Sequence, residues 1–222
     1  MIDLYAQAEA LNAMTSECHG RSYRAGWYHD PVTREPLRRN VGEMLALVHS
    51  EVSEALEGHR KNLKDTHLTD RLMIEVELAD VVIRVFDLAG YLKLDLGEGF
   101  RRKKQSIAPR SSAPMTFDLQ AQAAALNSMT DEGYGTLYFN VGEMLARIHL
   151  AVSKAFESYV FGQSLDGRPM IEANLVDVLL RVFDLAGYMK LSLGESYQRK
   201  LIYNEQRQDH KLETRAAGGK AF

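Results

Sequence analysis

Apolar residues along the chain recur at steps of three and four, the spacing that places side chains on one face of an α-helix. One such stripe consists of Leu45, Val48, Val52, Ala55 and Leu56. Alternating runs of β-branched residues, which are typical of strands, are scarce. The pattern therefore predicts an all-α protein.

Four helices are predicted in the first part of the chain. The first covers roughly residues 3–18, and the second begins near Asn40, where the sequence resembles a capping box. The third covers roughly residues 69–90 and ends near Gly90, and the fourth begins near Asp95. Short connections between them favour an antiparallel bundle.

The sequence contains a tandem duplication. Three pairs of segments match in the same order: 3–17 with 118–132, 40–46 with 140–146, and 74–98 with 171–195. We therefore divide the chain into copy 1 (1–105), a linker rich in serine and proline (106–117) and copy 2 (118–222). We expect two four-helix bundles packed as an intramolecular pseudo-dimer, which is either a monomer in solution or dimerises again.

Composition excludes several classes of function. The 222 residues carry a net charge of −3, so nothing draws the protein as a whole to nucleic acid or to a membrane surface. Cys18 is the sole cysteine, and the N-terminus lacks the features of a signal peptide. Apolar runs are shorter than the ~20 residues of a membrane span. We expect a cytoplasmic protein.

Two pairs of acidic residues are the main candidates for chemistry. Glu51 and Glu54 are three residues apart on one predicted helix, as are Glu77 and Asp80 on the next. If these helices are neighbours, four carboxylates converge, and a hard divalent cation such as Mg²⁺ or Mn²⁺ would neutralise them. The alternative is a solvated acidic face, although Lys61 and other cations lie beyond the i+4 position of both Glu51 and Glu54.

Copy 2 serves as an internal comparison for these acids. Three of the four differ there: Glu51 corresponds to Ala151, Glu54 to Lys154, and Glu77 to Asn174, whereas Asp80 is retained as Asp177. Residues kept in both copies, such as Arg84 with Arg181 and His49 with His149, are explained by the shared fold. Arg84 is expected to pair with Asp80 or Asp87. The comparison indicates that copy 1 holds the metal and that copy 2 has lost its site.

The two acidic pairs and their flanking runs, GEMLALVHSEVSEALEGHRK and IEVELADVVIRVFDLAG, resemble the MazG-like all-α nucleoside triphosphate pyrophosphohydrolases. The tail YNEQRQDHKLETRAAGGKAF adds to the resemblance, which covers most of both copies. It implies a Mg²⁺-dependent hydrolase that converts a (d)NTP to (d)NMP and pyrophosphate at a nucleotide site between two bundles. Glu51, Glu54, Glu77 and Asp80 would then be the metal ligands and catalytic residues, with Glu54 also a candidate base.

The acids lie in copy 1 and the tail in copy 2, which predicts one composite site per chain. The candidate substrate-binding residues are Trp27, Lys61, Lys200, Tyr203, Asn204 and Arg207. The alternatives are that the tail is a solvated terminus and that the basic run 101–104 contacts the phosphates instead.

Residues 21–39 of copy 1, which copy 2 replaces with the short TLYF, form a candidate lid. Trp27 and Tyr28 could stack on a base there, and His29, Asp30 or Arg34 could contact its edge; alternatively, Trp27 anchors the loop to the core. Cys18 is interpreted as a packed thiol. Two other functions stay open: a nucleotide- or alarmone-binding regulator, and a helical scaffold module that binds no metal.

Overall fold

The computed structural model describes residues 4–105 and 140–218. Most of these residues are α-helical, which confirms the prediction of an all-α protein. The helices of copy 1 are α1 (Leu4–Arg24), α2 (Val41–Lys61), α3 (Met73–Tyr91) and α4 (Leu96–Gln105). Those of copy 2 are α5 (Val141–Val160), α6 (Met170–Tyr188), α7 (Leu193–Gln206) and α8 (Leu212–Ala216), with a 3₁₀ turn at Gln208–His210. The linker and the predicted first helix of copy 2, around 118–132, lie outside the described residues.

Asparagine side chains begin the second helix of copy 1 and its counterpart in copy 2. The Oδ1 atom of Asn40 accepts the backbone N–H of Gly42 at 2.8 Å, and Asn140 accepts that of Gly142 at the same distance. Each bond satisfies an amide that the first turn of a helix leaves unpaired. The predicted start of α2 is therefore confirmed.

The third helix begins four residues later than predicted and ends one residue after Gly90, which agrees with the predicted end. It begins at Met73 because Asp65 accepts the backbone N–H groups of His67 and Leu68, at 2.8 and 2.6 Å, and holds the preceding residues in a turn. Gly90 lies in its last turn. A Cβ atom there would lie 2.4 Å from the Cβ of His19, so Gly90 allows α1 and α3 to pack closely.

Copy 2 contains a small hairpin that the sequence pattern did not predict. Strand β1 (Ser164–Leu165) pairs antiparallel with β2 (Arg168–Pro169). The two turn residues, Asp166 and Gly167, have φ values of 51° and 76°, as a tight two-residue hairpin requires.

Helix α4 of copy 1 and its counterpart α7 of copy 2 each pack on a helix of the other copy, an arrangement that we call the exchange of α4 and α7. Helix α7 lies against α3, and α4 lies against α6, while α2 packs on α3 and α5 on α6. An ion pair accompanies each exchange: Lys200 with Asp80, and Lys103 with Asp177. Buried side chains of both copies form one continuous apolar core.

Helices α2 and α5 also meet directly. The Nδ1 atoms of His49 and His149 are 2.8 Å apart, so one ring donates a hydrogen bond to the other, and partial burial lowers the pKa of each imidazole. No helix in residues 4–105 or 140–218 combines the length and the apolar character of a membrane span.

Candidate active site

A cavity of about 410 Å³ lies between the two copies. Copy 1 lines it with residues of α1, the 21–39 insert, α2, the turn before α3 and α3 itself, and copy 2 lines it with α7 and the 3₁₀ turn. Its volume is within the range of about 300 to 1,000 Å³ that is common for small-molecule sites. All four acids of copy 1 border this cavity.

Three of those acids form a tight cluster. Ligand oxygens of Glu51, Glu77 and Asp80 lie within 4.8 Å of one another. Glu77 and Asp80 project from neighbouring positions on α3, and Glu51 reaches them from α2, which packs on α3. Glu54 borders the same cavity, and its Oε1 accepts a hydrogen bond of 3.0 Å from Ser50 Oγ.

Two cations partly compensate the cluster. The Nε of Arg84 donates to Oε1 of Glu51 at 2.5 Å, and the Nζ of Lys200 lies 2.8 Å from Oδ2 of Asp80. Arg84 thus pairs across to α2, whereas the sequence favoured partners within its own helix. Burial lowers the pKa of Lys200, but the neighbouring Asp80 and Glu77 outweigh burial and raise it.

The remaining negative charge is poorly stabilised. Burial raises the pKa of Glu77, and the nearby Asp80 and Glu51 carboxylates raise it further. Burial also raises the pKa of Asp80, against the opposing effect of Lys200. Buried carboxylates that repel one another form a donor set suited to a hard divalent cation, so Glu51, Glu77 and Asp80 fit Mg²⁺ or Mn²⁺.

Basic side chains surround the acidic cluster. Arg21 and Arg39 come from copy 1, and Arg207 joins Lys200 from copy 2. Three of the four are held by carboxylates: Arg21 by Glu17 and Glu205, Arg207 by Asp209, and Lys200 by Asp80. The cavity therefore pairs a cluster of carboxylates with a surrounding group of cations, the arrangement that a metal–phosphate ligand needs.

The insert of copy 1 and the tail of copy 2 join beside the cavity. The guanidinium carbon of Arg215 lies 4.0 Å from the centre of the Trp27 ring, and its Nη1 donates to the carbonyl of Gly26 at 2.9 Å. His210 contacts the same indole edge-on, with ring centres 5.1 Å apart. We call these contacts between residues 26–27 and 210–215 the clasp. Trp27 packs against the core, as expected of a residue that anchors the loop. It also borders the cavity, where the other interpretation has it stack on a base.

The predicted substrate-binding residues do not all reach the cavity. Lys200, Asn204, Arg207 and Trp27 line it. Tyr203 lies next to the lining residues, with its ring 4.6 Å from that of His67. The structure does not bring Lys61 to the site: it is exposed, pairs with Glu57, and lies about 10 Å along the helix axis from Glu54.

Most residues of the insert that were predicted to contact a nucleotide base make contacts within the protein instead. The hydroxyl of Tyr28 is buried and donates to Asp87 at 2.7 Å, and Asp30 accepts backbone N–H groups of its own loop. His29 packs its ring on Tyr23, and Arg34 adopts a φ of 66° in the same turn. The interpretation of these four residues as base contacts is not supported, because the loop uses their side chains or backbone to hold its own shape.

The basic run of α4 also faces away from the cavity. Arg101 and Arg102 pair with Glu98, and Lys103 pairs with Asp177 of copy 2. The pairs with Glu98 lie within α4, and the pair with Asp177 follows from the packing of α4 on α6. The cations beside the acidic cluster therefore come from α7 and not from α4.

Several lining residues were missed by sequence reasoning. Arg21 and Arg39 stand at the two ends of the insert, and Asp65 lies in the turn before α3. Arg215, which is not part of the lining, is buried although it sits in a polar tail. Their positions depend on contacts between distant segments, and the one available signal was that arginines flank the insert. Cys18 borders the cavity, but burial raises the pKa of its thiol to about 12, in agreement with a packed and unreactive thiol.

Comparison of the chain with protein-family models, with curated proteins and with solved structures finds no match in any of the three.

Proposed function

We propose that the protein is a divalent-metal-dependent nucleoside triphosphate pyrophosphohydrolase, as its resemblance to the MazG-like enzymes implies. The observation that carries the proposal is the convergence of Glu51, Glu77 and Asp80 within 4.8 Å in a cavity that both copies line. A triphosphate with its Mg²⁺ needs carboxylates for the metal and cations for the phosphates, and the cavity supplies both.

In this proposal the chain is a tandem pair of four-helix bundles that forms one composite site. The equivalent packing of α2 on α3 and α5 on α6, together with the exchange of α4 and α7, supports a pseudo-two-fold arrangement. Copy 1 contributes the acids, and α7 of copy 2 contributes Lys200, Asn204 and Arg207. Neither copy has the complete set.

Glu51, Glu77 and Asp80 would hold Mg²⁺, which when bound supplies positive charge for the triphosphate and promotes ionisation of water. Glu54 borders the cavity beside this cluster, and its carboxylate accepts a bond from the Ser50 hydroxyl. In the proposed mechanism Glu54 would accept a proton from the attacking water. The water oxygen bonds to the α-phosphorus, the bond from that phosphorus to the β-phosphate oxygen breaks, and pyrophosphate leaves.

Cations on the copy 2 side would stabilise the pyrophosphate. Arg207 and Lys200 are held near the site by Asp209 and Asp80, and phosphate oxygens can take over these contacts. Arg21 can exchange its partner Glu205 in the same way. Because they are already positioned, the cations would need little reorganisation.

The other part of the cavity suits a nucleoside. Trp27, Met44 and Leu47 give it an apolar lining. The Oδ1 atom of Asn204 is buried and accepts no hydrogen bond within the described residues. A buried acceptor without a partner is costly, so a donor on the base or sugar would stabilise it.

The test is pyrophosphate release from a panel of NTPs and dNTPs with Mg²⁺. We expect release by the wild type and at least about a hundredfold loss in Asp80→Asn, because one ligand of the cluster loses its charge. Asp177→Asn is the matched control: it makes the same change at the equivalent position of copy 2 and should retain activity. Absence of release with every nucleotide, or equal losses in both variants, would contradict the proposal.

A further inference from the structure

The position in copy 2 that corresponds to the acidic cluster has lost its net negative charge. Ala151, Lys154, Asn174 and Asp177 stand where copy 1 has Glu51, Glu54, Glu77 and Asp80. The helices that carry these residues, α5 and α6, pack on each other as α2 and α3 do. The side chain of Asn174 donates to the carbonyl of Lys154 at 3.1 Å and to Ser158 at 3.0 Å, which fixes α6 against α5 here.

Arg181 has lost the partner that its counterpart keeps. Arg84 donates to Glu51, but Ala151 offers Arg181 no acceptor at the equivalent place. The Nε of Arg181 is buried and makes no hydrogen bond to any described residue. A guanidinium nitrogen that is shielded from water and unpaired is energetically unfavourable, so an acceptor would stabilise it.

Two lysines occupy positions equivalent to residues around the acidic cluster of copy 1. Lys103 of α4 pairs with Asp177, just as Lys200 pairs with Asp80. Lys154 replaces an acid and is exposed. The copy 1 counterparts of Lys103, Lys154, Asp177 and Arg181 are Lys200, Glu54, Asp80 and Arg84, which all line the cavity. Three cations and one carboxylate therefore occupy the equivalent positions in copy 2.

We propose that Lys103, Lys154 and Arg181 form a second site, which binds a phosphate-bearing anion directly and without a metal. The planar guanidinium of an arginine suits phosphate oxygens, and the lysines add charge around it. The inference does not depend on the proposed hydrolysis, because it concerns another position in the fold. The anion is either inorganic pyrophosphate or the phosphate chain of a nucleotide.

The test is calorimetric titration of the full chain with inorganic pyrophosphate in EDTA. We expect binding that weakens at least about tenfold in Arg181→Met and in Lys154→Glu, because each removes a charge-assisted contact. Lys190→Gln, which removes an exposed positive charge elsewhere in copy 2, should leave binding unchanged. Asp80→Asn should also retain it, since the acidic cluster takes no part.

A second titration with dATP in EDTA identifies the source of the phosphate. If dATP binds more tightly than pyrophosphate and shows the same sensitivity to Arg181→Met, the site takes a nucleotide; if pyrophosphate binds more tightly, it takes the inorganic anion. Thermal unfolding of each variant verifies that it is folded. Failure of wild type to bind either anion, or equal binding by wild type, Arg181→Met and Lys154→Glu, would overturn the inference.

Discussion

The ammonium group of Lys200 in α7 lies 2.8 Å from the carboxylate of Asp80 in α3, and both side chains are largely buried. The pair links the last long helix of copy 2 to the acidic cluster of copy 1. It also gives the cluster a positive charge when no metal is bound.

Replacing Lys200 with methionine should destabilise the metal-free protein by about 3 kcal/mol, because it leaves Asp80 buried without its cation. Lys103→Met is the matched control: its pair with Asp177 is about one-third exposed, so we expect a loss of less than about 1 kcal/mol. Urea unfolding in EDTA measures both. Equal losses would show that burial of the Lys200 pair has no special energetic role.

Metal-free stability should fall as the pH rises. Burial and neighbouring carboxylates raise the pKa of Glu77 and Asp80 in the folded state, so between the ordinary and the raised values the folded chain binds more protons than the unfolded chain. The free energy of unfolding therefore decreases upward from about pH 4.5. Melting temperatures in EDTA across pH 5 to 8 test this trend.

The variant Glu77→Gln provides the control for this pH dependence. It cannot ionise, so its melting temperature should decline less steeply over the same range. Adding Mg²⁺ to the wild type should offset the decline at the upper end, because the metal binds the ionised carboxylates of the folded state. A wild-type profile as flat as that of the variant would contradict the prediction.

The clasp can be followed by fluorescence, since Trp27 is the sole tryptophan. Arg215→Ala removes the guanidinium that covers the indole at 4.0 Å, so the emission should shift to the red and acrylamide should quench it more strongly. Lys211→Ala changes an exposed residue of the same segment and should leave both properties unchanged. Identical spectra for wild type and Arg215→Ala would show that the tail does not cover Trp27.

Gly26 should tolerate no side chain while the clasp is closed. Its φ is +81°, and an added Cβ would lie 2.4 Å from the Cγ of Leu212. Gly26→Ala should therefore cost about 1 to 2 kcal/mol and detach α8. Combining it with Leu212→Ala should relieve the steric part alone, which a double-mutant cycle in urea unfolding will separate. Strict additivity of the two changes would contradict the contact.

Helical spacing was sufficient to predict which acids share a face. Glu77 and Asp80 are neighbours on any helix, and the apolar stripe beside Glu51 directs that side of α2 to a neighbouring helix. Lys61 was a wrong candidate for this site, because it lies about two helical turns beyond Glu54 along α2. Helical spacing also assigned Arg84 a partner within α3, although its hydrogen bond crosses to α2.

Contacts between distant segments lay beyond the sequence pattern. The insert and the tail are polar, and nothing in their periodicity indicates that Arg215 would be buried on Trp27. The exchange of α4 and α7 could not be predicted from the sequence either. Both helices start with Leu-Gly-Glu, and α3 and α6 offer them similar surfaces. This exchange determines which cations meet which acids.

The exchanged helices have a consequence for how the two copies can diverge. A substitution in α7 changes the environment of the copy 1 acids, whereas a substitution in α4 changes the environment of Asp177. The chemistry of each position is thus encoded at both ends of the chain. Replacing one copy by a related sequence would therefore alter the side chains at both positions at once. The two copies must change together for either position to keep its set of charges.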